Sequence, residues 1–519
     1  MSAGLWNWSD VVNWGLDVAP TLPGSLTFAG TRGLLSNNNL SSQTLNGITF
    51  NGGAGTFTLS GNAITLGGNI TNNGAKLQTI NLAMDTTAAR TVTTSVGGGD
   101  IALGGVISGA AGGITKTGTG TLTLTGTNTY TGVTIFAGGI VNVATFTNFG
   151  VAGGLGNRAS DSASNVGLLF QGGTLQYTGP TAQSTNRGIR LSTTGGGGVI
   201  DASGSNSTAT LSFTATSSAD LFEVGGNRGL TLTGTNTGNN IMGIAITEAG
   251  GVTNINKSGI GTWILTGAST YGNSYASITY MSGGTLQVGN GTTGSTGAAR
   301  LFFQGTSKFI YQGVTTGSSQ VLGNNLTFSA GEGTVQSTYG GTSGNTILNV
   351  GSLAARSAGA TGNFVISGGT NGSTNIIKFA NTAPTAGALI DRGLFFNGSS
   401  YATYNTGGTS TGYIRAFTSG DTGYAAAAGG SNTIVTGSTT NVALGGSVTS
   451  QAAATISTLN LGANSLGLNT GVAFQTDGIL QSGGASTISG GTSLSSATSG
   501  GELVIRTNCL LYTSPSPRD

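Results

Sequence analysis

The sequence predicts an all-β chain wound as a parallel β-solenoid from short strands and glycine turns. Three observations predict it. Apolar residues alternate with Thr or Asn over short runs, glycines separate those runs, and one block of sequence occurs twice.

The alternation is clearest at Leu122/Leu124, Val133/Ile135 and Val141/Val143, each pair two residues apart. That period places one face inward and a Thr or Asn face outward on a strand. Threonine is β-branched and suits such outward positions. Glycine supplies 97 of 519 residues and sits between the runs, where the chain turns or passes close to another backbone. Helical patterning fails throughout: "LAARSAGA" (353–360) and "YAAAAGG" (424–430) offer a turn of helix at most. A coil of this type takes roughly twenty to thirty residues and buries its inward side chains against the coils on either side.

The composition excludes several function classes. With 36% hydrophobic residues, 6% charged residues and a net charge of +2, the chain is neither a disordered polyelectrolyte nor collagen-like. Its 17 basic residues are scattered singly, so no stripe exists to neutralise phosphates and nucleic acid is not expected as a partner. No apolar run reaches the length of a membrane-spanning helix, so no transmembrane segment is expected. The start, "MSAGLWNWSD", lacks the basic and apolar regions of a signal peptide.

The repeated block is Ile114–Val143 and Ile255–Val288. Lys116, Gly118, Gly120, Leu122, Leu124, Gly126 and Tyr130 correspond to Lys257, Gly259, Gly261, Trp263, Leu265, Gly267 and Tyr271. Gly138-Gly139, Val141 and Val143 then match Gly283-Gly284, Leu286 and Val288. A looser block recurs at Leu168–Gly179, Leu301–Gly313 and Leu394–Asn405. The expected organisation is a Trp-rich cap segment at 1–30, a first solenoid module at 31–165 with its repeat at 114–143, and a second at 166–299 with its repeat at 255–288. A more divergent solenoid region follows at 300–508, then a tail at 509–519.

On these residues the chain resembles the autotransporter-associated β-strand repeat family, whose pattern is K-x-G-x-G-x-L-x-L-x-G-x-N-x-Y-x-G, then a strand and G-G-x-L-x-V. The first copy matches nearly throughout. The second departs at Ala268–Thr270, where the asparagine is absent, and is four residues longer after its tyrosine. The start "WNWSDVVNWGLDVAPTLPGSLTFAG" is similar to the opening of large secreted bacterial passengers, in which a signal peptide usually precedes it. The resemblance implies a right-handed parallel β-helix at or beyond the bacterial outer surface. About activity the motif says almost nothing; the role expected of such a rod is structural or adhesin-like, with surface glycans or other cell-surface components as partners.

Chemistry is sparse. Without histidine there is no Ser-His-Asp or Cys-His arrangement and no imidazole metal ligand. No catalytic, cofactor-binding or metal-binding residues are expected, and no enzyme activity. The closest acid pair, Asp220 and Glu223, is read as solvated charge at a coil edge rather than as an acid/base pair, because residues three apart on a strand face opposite ways. "GGGDIAL" (97–103) is read as a tight turn, since one copy supplies no ladder of calcium ligands. Lys116 and Lys257 are expected to keep a strand edge soluble. Tyr130 and Tyr271 are expected to pack over turns, and Trp6, Trp8 and Trp14 to cap the first coil. Two alternatives stay open: a carbohydrate-binding or carbohydrate-cleaving β-helix with a lateral groove, and a stalk that presents another domain.

The tail "CLLYTSPSPRD" (Cys509–Asp519) holds the only cysteine and two of the six prolines. It resembles a translated sequencing adapter, and the expectation is a fragment whose native sequence stops at Asn508 and whose tail packs poorly.

Overall fold

The computed structural model describes residues 5–95, 99–161, 166–192, 196–215, 226–248, 251–272, 276–323, 325–406, 412–508 and 511–513. Among them there are two short 3-10 turns, Val11–Asn13 and Gly15–Asp17, no α-helix, and many short strands. No helix is long and apolar enough to cross a membrane. Two compact units divide the chain, Met1–Ile278 with 294–296, and 279–293 with Gly297–Asp519.

The first unit is a parallel β-helix. One ladder stacks Trp6–Asn7, Leu35–Asn38, Thr58–Gly61, Gln78–Ile80, Ile101–Leu103, Thr121–Leu124, Ile140–Val143, Thr174–Tyr177, Gly197–Ala202, Arg228–Thr233 and Thr253–Lys257, each parallel to the next. A second stacks Gly24–Phe28, Gln43–Phe50, Ile64–Asn72, Ala89–Thr94, Gly113–Gly118, Thr134–Phe136, Leu168–Phe170 and Ile189–Leu191. A third, from Gln183–Thr185 through Leu211–Phe213 and Asn239–Met242 to Thr262–Leu265, completes later coils. Inward positions form columns: Leu122 pairs with Ile101 and Val141, and Leu124 with Leu103 and Val143, all buried. Rings stack in the same way, Phe28 on Phe50 at 5.3 Å and Phe136 on Phe170 at 4.6 Å.

Trp263 and Leu265 are buried as the alternation predicts. Thr121, Thr123, Thr262 and Thr266 face outward but are half-buried. The reason is lateral: in a ladder each outward side chain has neighbours on both sides, as Thr123 has Ala102 and Asn142. Outward threonines align over five coils, Thr27–Thr49–Thr71–Thr93–Thr117.

The second unit begins in the same manner, with Gly284–Val288, Ser307–Gln312, Glu332–Thr338, Thr361–Ser367 and Leu394–Phe396 in parallel. There the pattern changes. Ser400–Asn405 and Tyr413–Ala416 continue the sheet antiparallel. A separate parallel stack follows, through Tyr424–Ala427, Gly437–Leu444, Ala454–Asn460 and Ala473–Gln481. Phe395, Tyr401, Phe417, Leu480 and Val504 form one buried cluster that joins this stack to the preceding sheet. Of the tail, Leu511–Thr513 adds a parallel strand to Ser486–Ile488. An unpaired ladder edge accepts almost any extended segment, so an atypical composition does not prevent pairing there.

Candidate functional site

The repeat is built around a buried lysine. Lys116 stands in its inward column between Val92 and Phe136 with no exposed surface, contrary to a role at a soluble strand edge. Its Nζ donates to the carbonyls of Thr117 at 2.7 Å, Gly118 at 3.0 Å and Gly138 at 3.3 Å. Lys257 is equally buried and donates to Ser258 at 2.5 Å and Gly259 at 3.1 Å. The physical reason for the correction is that a tight turn leaves carbonyls pointing inward, and an ammonium with three donors satisfies them from below. The turn itself needs glycine: Gly118 has φ +76 and Gly259 has φ +64. A Cβ on Gly118 would stand 1.7 Å from the Thr94 carbonyl oxygen.

Burial pushes both lysines down to about 8, for Lys116 against the opposing charge of Asp100. The unfolded chain holds these protons to a higher pH than the folded one, so this contribution to stability is fully present above the ordinary lysine pKa. It is lost as pH falls through about 8. The melting temperature is therefore expected to rise between pH 8 and pH 10, and Lys116→Met should reduce that rise. The same substitution should cost about 1–3 kcal/mol by leaving turn carbonyls without a donor. Tyr130, pushed up to about 12 by burial, acts in the opposite direction only at higher pH.

Tyr130 and Tyr271 are buried, so neither offers a ring to a sugar. Tyr130 shares a hydrogen bond of 2.8 Å with Thr134. Asn128, which the sequence left without a role, is buried: its Oδ1 accepts from the Ile107 N–H at 2.9 Å and its Nδ2 donates to the Gly154 carbonyl at 2.9 Å. In the second copy Ser269 replaces it and accepts from the Ile246 N–H at 3.0 Å. A hydroxyl thus fills the place of the missing amide. A partial third copy escaped the sequence reading, although Leu230–Asn236 repeats Leu122–Asn128 residue for residue. Its Asn236 is also buried and donates to Asn206 at 2.6 Å and Ala209 at 3.0 Å. Arg187 follows the lysine logic, donating to the Leu155 carbonyl at 2.6 Å and the Gly156 carbonyl at 2.8 Å.

Asp220 and Glu223 lie outside the described residues, as do Gly97 and Gly98 of the "GGGDIAL" turn. Asp100 accepts the Thr121 N–H at 2.7 Å, the work of a turn residue. No group of three or more Asp, Glu, Cys or His that could hold a metal occurs among the described residues.

The second unit carries a lateral cleft of about 610 Å³. Arg356 spans it, pairing with Asp391 at 2.8 Å and with both Glu502 oxygens at 2.9 and 3.2 Å. Beside it Arg392 pairs with Asp477 at 2.9 Å. Burial raises the Glu502 carboxyl, but the Arg356 hydrogen bonds, the Gly359 N–H and the guanidinium charge outweigh it and hold it below the usual range. Asp477 is likewise held low against burial, by Ser496, Thr498 and Arg392. A general acid needs a pKa near the working pH, and neither group has one. The cleft lining contains no aromatic ring on which a sugar could stack.

The passenger-associated-transport-repeat family matches residues 114–143 and 255–288, the two blocks that carry the lysine turns. Over 254 residues the chain is 32% identical to the adhesin BmaC autotransporter of Brucella suis biovar 1 (strain 1330). That stretch is 47% of this chain and 7% of the Brucella protein, so the chain spans a small part of that relative's length. No solved structure matches the chain. The chain thus carries two passenger-associated-transport repeats on parallel coils and is similar, over part of its length, to an autotransporter adhesin.

Proposed function

We propose that this chain is a segment of a secreted or surface-displayed adhesin-like passenger that acts by contact and not by catalysis. The observation that carries this reading is the fate of its few charged groups. Lys116 and Arg187 are spent on turn carbonyls, and Arg356 and Arg392 hold the carboxylates of the cleft in ion pairs. Such groups stiffen a scaffold, and the cleft carboxylates they hold, Asp391, Glu502 and Asp477, are committed to ion pairs rather than poised as proton donors. Similarity to an adhesin supports the same direction. The scaffold presents outward Thr and Asn ladders, a hydroxyl- and amide-rich surface suited to glycans and other cell-surface components.

Beads coated with the purified chain should be retained on cell monolayers and immobilised matrix glycans severalfold more than beads coated with an unrelated β-helix. Equal retention would contradict the adhesive role. Release of reducing ends or unsaturated sugars from polysaccharides, abolished by Glu502→Gln, would contradict the non-catalytic one.

A further inference from the structure

Three of the four tryptophans, Trp6, Trp8 and Trp14, line one cavity of about 350 Å³ in the first unit. Two of them are committed to the fold. Trp8 is buried and donates from Nε1 to Ser36 Oγ at 2.8 Å, and Trp14 donates from Nε1 to the Trp8 carbonyl at 2.9 Å. Their rings meet edge to face at 6.3 Å, and Trp14 packs on Phe28 at 6.1 Å. Both rings thus pack into the apolar column of the first coils.

Trp6 is different. It is 37% exposed, and its indole nitrogen makes no hydrogen bond in the chain. One face rests on Gly33, where a Cβ would come within 2.8 Å of the ring. Glycine thus lets the backbone come against the indole, which stays partly exposed where it lines the cavity. The rim carries polar groups without partners: the Arg32 guanidinium is exposed with no ion pair, and neither Asn7 Nδ2 nor Asn13 Oδ1 has a partner. Arg32 is the one charged residue of the lining. Packing alone gains nothing from a partly exposed indole with an unpaired cation beside it.

We propose that this cavity binds an acidic saccharide. The exposed part of the Trp6 ring takes the C–H face of a pyranose ring, Arg32 takes its carboxylate, and Asn7 and Asn13 meet its hydroxyls. The chemistry matches the parts: a flat apolar platform, a planar cation that forks onto carboxylate, and one free amide donor and one acceptor. The volume lies in the range of about 300–1,000 Å³ typical of small-ligand sites. As a means of attachment the site rests on the adhesive reading above, but its binding can be measured separately.

The test is calorimetric titration of the full chain with an oligogalacturonate, a hyaluronan oligosaccharide and sialyllactose, with lactose as the neutral comparison. At least one acidic saccharide should bind more tightly than lactose and perturb tryptophan fluorescence. Trp6→Ala should weaken that binding about tenfold or more. Arg32→Gln, on an exposed side chain that leaves the fold intact, should remove the preference for acid over lactose. Absence of binding by all three acidic saccharides, or binding unchanged in both variants, would overturn the proposal even if coated beads adhere. Binding that follows the two variants while beads fail to adhere would keep the site and remove only its role in attachment.

Discussion

Leu124→Asp is expected to lower the stability of the first unit by several kcal/mol, because it places an unpaired charge in a closed column. Leu124 is 1% exposed and stands between Leu103 and Val143 in the ladder. Its ladder neighbours on both sides are aliphatic, and Lys116 is bound to turn carbonyls in another ladder. Thr123→Asp, one residue away on the outward face, should change stability by about 0.5 kcal/mol or less. Thermal melts followed by far-UV circular dichroism would compare the two. Equal effects would mean that the inward and outward faces are wrongly assigned.

Gly118→Ala is expected to cost about 3 kcal/mol or more, a large effect for one methyl group. Two penalties combine there. The left-handed backbone conformation disfavours any side chain, and the added carbon would occupy the space of the Thr94 carbonyl, a ladder oxygen that cannot move alone. Gly138→Ala provides the comparison, because its Cβ would lie 3.2 Å from the Gly118 carbonyl oxygen. It should be the milder change in a urea titration. A reversal of that order would contradict the turn geometry on which the lysine clamp depends.

Much of this architecture was legible because it is local. Alternation at Leu122/Leu124 states which face is inward, and the glycines state where the chain turns. The lysine was legible as a conserved position between two copies of one block, but not as a buried one. A lone charge in a polar, turn-rich stretch reads as solvated until the carbonyls that surround it are known, and Gly138 comes from the next coil. The exchange of Asn128 for Ser269 looked like a departure from the pattern, yet both side chains accept a backbone N–H from the preceding coil. Side-chain identity is looser than the hydrogen bond it must supply.

The second unit was least legible. Its ion pairs join Arg356 to Glu502, 146 residues apart, and Arg506 to Glu332, 174 residues apart. No spacing rule reveals such partners, because they exist only after the later stack packs on the earlier sheet. The antiparallel step at Ser400–Asn405 was likewise hidden, since an alternating strand reads the same in either direction. The Trp-rich start is expected to be a cap, and Trp8 and Trp14 pack against each other and Phe28. The exposure of Trp6 in the cavity and the unpaired Arg32 emerge only from the folded arrangement.

The central claim is that the repeat builds in-register parallel coils, and one cross-linking measurement tests it most directly. Thr93 and Thr117 are ladder partners whose hydroxyls lie 2.9 Å apart, whereas Thr91 pairs with Thr115. In a chain carrying Cys509→Ser, the pair Thr93→Cys and Thr117→Cys should oxidise rapidly and nearly completely under mild oxidant, because adjacent parallel strands bring the two Cβ atoms within disulfide reach. The pair Thr91→Cys and Thr117→Cys, offset by one step of the same face, should remain reduced under the same conditions. Rapid closure of the offset pair, with the in-register pair left free, would contradict the coil register and the β-helix built on it.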